Sequence, residues 1–84
     1  MLVTMTMDER AMSDETIQAV AALLVAGEQY GIGITFVPSL DGWEVGYLRG
    51  MGGGDLAEAY DLRTAASAAL RPLIRMGEEL TNRD

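Results

Sequence analysis

Gly31-Ile-Gly-Ile-Thr-Phe-Val-Pro-Ser-Leu-Asp-Gly-Trp-Glu-Val-Gly-Tyr-Leu-Arg49 decides the fold class, because apolar residues alternate on both sides of Asp41-Gly42. Ile32, Ile34 and Phe36 share one face of the first run, and Trp43, Val45 and Tyr47 share one face of the second, the period of half-buried strands. Asp-Gly is favoured at the centre of a type I′ hairpin turn, where both residues take positive φ. With Asp41 and Gly42 there, Leu40 lies opposite Trp43 and Phe36 opposite Tyr47, all on one side of the sheet. Gly33, Thr35, Val37, Glu44, Gly46 and Leu48 fall on the other, thinner and more polar side. The aromatic side needs a cover. Burying Phe36, Trp43 and Tyr47 contributes roughly 1.5 to 3 kcal/mol each before chain entropy is counted.

Upstream, Ser13 offers an N-cap with Asp14 and Glu15 in the first turn, where the helix dipole favours acids. Ile17, Val20, Leu23 and Leu24 are expected on the apolar face of this helix, with Ala19, Ala22 and Ala26 on the opposite side. That alanine strip is read as an exposed surface of high helix propensity, or as a close-packed seam against a second copy or a partner helix. Gly27 or Gly31 ends the helix as a left-handed residue. Residues 1–12 are expected to form a flexible N-terminal arm, and residues 13–84 one domain. Pro38 cannot donate a ladder hydrogen bond, so the first strand is an edge strand or stops there.

Downstream, Gly50 to Gly54 reads as a flexible glycine-rich loop. It lacks the Gly-Lys-Ser/Thr ending of a phosphate-binding loop. Asp55 to Tyr60 reads either as a short third strand, with Leu56, Glu58 and Tyr60 on one side and Ala57 and Ala59 on the other, or as the start of a helix. Asp61 is an N-cap for the clearest helix of the chain, in which Leu62, Ala66, Ala69, Leu73, Met76 and Leu80 repeat at helical spacing. Pro72 falls inside it and removes one backbone donor. Arg71, Arg75 and Glu79 follow one another on its outer surface. The order predicts a two-layer α+β fold, α-β-β-(β)-α, with a three-stranded antiparallel sheet packed against two helices.

The chain has 84 residues, 13 acidic and 6 basic, for a net charge of -7. Such a field repels nucleic acid. Cysteine and histidine are both absent, which excludes a disulfide framework and argues against structural zinc. No apolar run is long enough to span a bilayer. No cofactor, metal or membrane partner is expected. Without His or Cys, candidate catalytic groups reduce to carboxylates, tyrosines and hydroxyls. Glu44 and Glu58 approach each other if the second and third strands pair, and read as solvated sheet-surface acids rather than as an acid–base pair. The chain is therefore expected not to be an enzyme.

Trp43-Glu-Val-Gly-Tyr47, Asp55-Leu-Ala-Glu-Ala-Tyr60 and Asp61-Leu-Arg-Thr-Ala-Ala-Ser-Ala-Ala-Leu-Arg-Pro-Leu-Ile74 together resemble small phage and prophage αβα-sandwich proteins, and more distantly HicB-like antitoxins. Unlike the antitoxin pattern, a helix precedes the first strand, and no separate DNA-binding segment is expected after the last helix. The helix-strands-helix order is also similar to that of double-stranded RNA-binding domains. Those carry a lysine cluster where this chain has Asp61, Leu62, Arg63 and Thr64, so their function is not carried over. The phage resemblance implies an anti-defence role, such as that of anti-CRISPR proteins, in the cytoplasm of a bacterial host. The expected partner is then a host protein or nucleoprotein complex with a basic surface. Asp41, Glu44, Asp55 and Glu58 are the expected contact residues, since carboxylates on a rigid sheet compete with phosphates for arginine and lysine and steer association. The alternative is a homodimeric regulatory or antitoxin-like module.

Overall fold

A computed structural model describes residues 13–82. The arm expected over residues 1–12 lies outside these described residues. The elements are α1 (Asp14–Tyr30), β1 (Gly33–Ser39), β2 (Gly42–Arg49), β3 (Gly52–Ala59) and α2 (Leu62–Asn82). The strands form one antiparallel sheet in the order β1-β2-β3. This is the α+β class the alternation predicts, with the third strand present.

Both helix starts are capped as their sequences require. Ser13 Oγ accepts from the Thr16 backbone N–H at 3.2 Å, and Asp61 Oδ1 accepts from the Thr64 N–H at 2.8 Å. The hydrogen bonds from the Thr64 backbone and side chain favour the ionised carboxylate and lower the Asp61 pKa. α1 ends on Gly31, whose φ of 69° is left-handed, with Gly31 N–H donating to Glu28 O and Ile32 N–H to Gly27 O. These two bonds make a Schellman stop.

Gly27 therefore lies within α1, in its buried face. A Cβ there would stand 2.6 Å from Ile32 O and 3.1 Å from Ile34 Cγ1, so its absence lets α1 close onto β1. α1 buries Thr16, Leu23, Ala26 and Gly27, with Ala19 and Val20 half-buried, whereas Ile17 and Leu24 are about half exposed. The sequence-based faces of this helix need correction. Ala19 and Ala26 belong to the packed side, and only Ala22 of the three alanines is exposed. Small residues are selected where backbones approach, a requirement that apolar periodicity does not register.

α2 lies beside α1 and covers β2 and β3. An Arg63–Glu15 ion pair at 3.7 Å joins the starts of the two helices, and Tyr30 packs on Gly77 near their ends. They thus run parallel. Leu23, Leu73 and Val45 are the largest fully buried side chains, set among Ala65, Ala66 and Ala69, while Phe36, Trp43 and Tyr47 pack half-buried around them. The aromatic residues ring the core because the alanines of α2 bring its backbone down onto the sheet. α2 continues through Pro72. Arg71, Arg75 and Glu79 are exposed on the outer surface as expected, and no ion pair joins them among the described residues.

The hairpin register differs by two residues from the one an Asp41-Gly42 turn predicts. Ser39 pairs with Gly42, Pro38 with Trp43, Phe36 with Val45 and Ile34 with Tyr47. Leu40 and Asp41 form the tip, neither with positive φ, and Leu40 is fully exposed instead of facing Trp43. Gly42 carries the positive φ, at 146°, and a Cβ there would run into Ala59 O and stand 2.9 Å from Tyr60 Cα. The glycine is needed beside β3, not at the tip. A slip of two preserves the pleat, so Trp43, Val45 and Tyr47 keep the predicted inner face.

The expected loop over Gly50 to Gly54 is mostly strand. Only Gly50 and Met51 turn, with positive φ at Gly50 alone, the pattern of a II′ hairpin. Tyr47 pairs with Gly54 and its ring covers the missing side chain, with Cε1 3.0 Å from where a Cβ would be. A bulge follows. Val45 pairs with Ala57 and Gly46 with Asp55, which leaves Leu56 without a partner. Leu56 packs against the core, not with Glu58 and Tyr60 as strict alternation predicts, because the extra residue resets the pleat.

Candidate protein-binding face

The helices cover one side of the sheet and leave the other open. Cross-strand pairs map that open side in rows. Gly33, Leu48 and Gly53 make the first, Thr35, Gly46 and Asp55 the second, and Val37, Glu44 and Glu58 the third. One further step of the same register sets Tyr60 opposite Gly42, next to Ser39. The strand pairing itself ends at Ala59, and the chain there stays close to Gly42, where a Cβ would stand 2.9 Å from Tyr60 Cα.

Three of the four sequence-predicted contact residues thus share one face. Glu44 and Glu58 are direct cross-strand neighbours, and Asp55 sits one row away on the same strand edge. Asp41 is at the exposed hairpin tip. Directly opposed like charges have Cβ atoms about 4.5 to 5.5 Å apart and are destabilising. None of the described arginines relieves them: Arg49 stands on the opposite pleat at the far end of β2, and Arg63, Arg71 and Arg75 are on α2.

Comparison with family models, curated proteins and solved structures finds no match to this chain.

Among the described residues no group of carboxylates converges as a metal site, and no helix is long and apolar enough to cross a membrane. What the acids share is a surface with exposed apolar side chains: Val37 beside Glu44, Leu48 at one end and Tyr60 at the other. Gly46 keeps the middle of the face low, since a Cβ there would stand 2.6 Å from Gly54 O and 2.9 Å from Thr35 Oγ1. At the hairpin end Asp41, Gly42, Glu44, Glu58 and Tyr60 line an open groove of about 460 Å3. Tyr60 is the residue that sequence reasoning left out of the site. Its signal was its i+2 spacing from Glu58, which placed the two on one side of the strand.

Proposed function

We propose that this chain is a non-enzymatic, acidic protein-binding inhibitor that uses the open sheet face to occupy a basic surface of a host nucleic-acid-handling defence complex. The carrying observation is the uncompensated Glu44–Glu58 pair toward the hairpin end of that face. Two opposed carboxylates weaken the sheet on their own, and a partner's cations would relieve them. Val37, Leu48 and Tyr60 supply apolar contact around the charges, the mixture of apolar core and polar groups that protein interfaces use. The resemblance to phage proteins directs the reading to a host defence target.

The test is affinity capture from host lysate with two baits, the natural chain and the E44Q/E58Q double variant, at low and high salt. Retention of a nuclease or surveillance complex by the natural chain alone, lost as salt rises, is the expected result. Equal retention by both baits would show that the acids serve solubility only.

A homodimeric regulatory module is the second reading. β1 is an edge strand without a single charged residue, and Ile17, Leu24 and Val25 are exposed on α1, the helix packed on that strand. The opposite edge, β3, carries Asp55, Glu58 and a bulge, devices that discourage strand addition.

A further inference from the structure

We infer that the open sheet face takes an arginine side chain of its protein partner in the groove beside Gly42, with the guanidinium against the Tyr60 ring and paired to Glu44 and Glu58; this rests on the protein-binding reading above.

Charge selects a cation, and the groove's shape selects which one. Tyr60 is 87% exposed just past the end of β3, two residues from Glu58, and lines one groove with Glu44 and Glu58. A ligand seated in that groove therefore reaches the exposed tyrosine and both carboxylates. A planar guanidinium can lie on an aromatic face while its N–H fork donates to carboxylates at its edge. An ammonium group is a compact, strongly hydrated point charge that gains the charge attraction without the stacking or the fork. Asp41 at the tip adds a third negative charge on the rim. The occupant is thus an arginine-bearing segment whose neighbouring apolar groups meet Val37 and Leu48.

The experiment uses two synthetic octapeptides, alternating glycine with arginine or glycine with lysine, titrated into the isotope-labelled chain and followed by NMR at fixed salt. The arginine peptide is expected to bind roughly two- to fivefold more tightly, the range of an exposed cation–π contact, with shifts centred on Glu44, Glu58 and Tyr60. Y60A should bring the ratio of the two affinities to one, and Y60F, which keeps the ring, should preserve it. Tyr60 is exposed, so both variants should fold, as circular dichroism can verify. Equal affinities in the natural chain, or a preference that survives Y60A, would overturn the arginine assignment and leave the acidic binding face standing. Failure of both peptides to bind would overturn the assignment together with the charge-complementary reading beneath it.

Discussion

Tyr30 and Gly77 are packed so closely that a Cβ at position 77 would run into Cγ, Cδ1 and Cδ2 of the tyrosine ring. The contact locks the end of α1 against the last turns of α2. Glycine inside a helix is ordinarily about 1 kcal/mol worse than alanine. Here that preference is reversed by sterics. G77A is expected to destabilise the fold by about 1 to 3 kcal/mol, the range of overpacked core sites, in urea unfolding followed by circular dichroism. Combining G77A with Y30A should cost less than the sum of the two single changes, since the clash needs both groups. An additive result would show that the ring does not meet position 77.

Gly42 is a second position where only glycine fits, because it combines a φ of 146° with contact to Ala59 O and Tyr60 Cα. G42A should lower the melting temperature by several degrees, the scale of a change of about 1 kcal/mol in a domain of this size. L40N at the exposed tip should leave it unchanged. If the two variants melt alike, the turn is not built around Gly42.

The Glu44–Glu58 pair separates stability from binding. E58K replaces an opposed like charge with an opposite one and is expected to stabilise the fold by about 0.2 to 1 kcal/mol, an effect that shrinks in high salt. The same change should abolish capture of a basic partner. A destabilised E58K variant would mean that the carboxylate makes a fold contact not accounted for by its exposed cross-strand position.

Asp61 gives a pH dependence of known sign. Its folded pKa is lowered by the bonds from Thr64, so its stabilising contribution is fully present above the unfolded value, about 3.9. That contribution is lost as pH falls through the lower folded pKa. Asparagine caps a helix about as well as aspartate and does not titrate. D61N should therefore lose less stability than the natural chain between pH 5 and pH 2, measured by urea unfolding at each pH.

Under the homodimer reading, the uncharged β1 edge and the exposed side of α1 are the contact surface. Sedimentation equilibrium should then give a dimer at micromolar concentration, and V37K should shift it to monomer. A natural chain that is monomeric at high micromolar concentration would remove that reading and leave the acidic face as the binding surface.

The chain's local chemistry determined the two helices, their N-caps, the two hairpin strands and the partition of the hairpin into two faces. Ser13, Gly31 and Asp61 act through hydrogen bonds to residues three or four positions away, and the period of two in Trp43, Val45 and Tyr47 follows from the pleat alone. It also grouped Glu44 with Glu58 once a third strand was allowed. Tertiary structure alone decided the register at Gly42, the extension of β3 back to Gly52, the bulge at Leu56 and the side of α1 that is buried. At Gly27, Gly42, Gly54 and Gly77 the absence of a Cβ is dictated by how near another element's backbone or ring comes. That distance depends on residues remote in sequence, so a glycine that reads locally as a turn or a loop can be a point of closest packing.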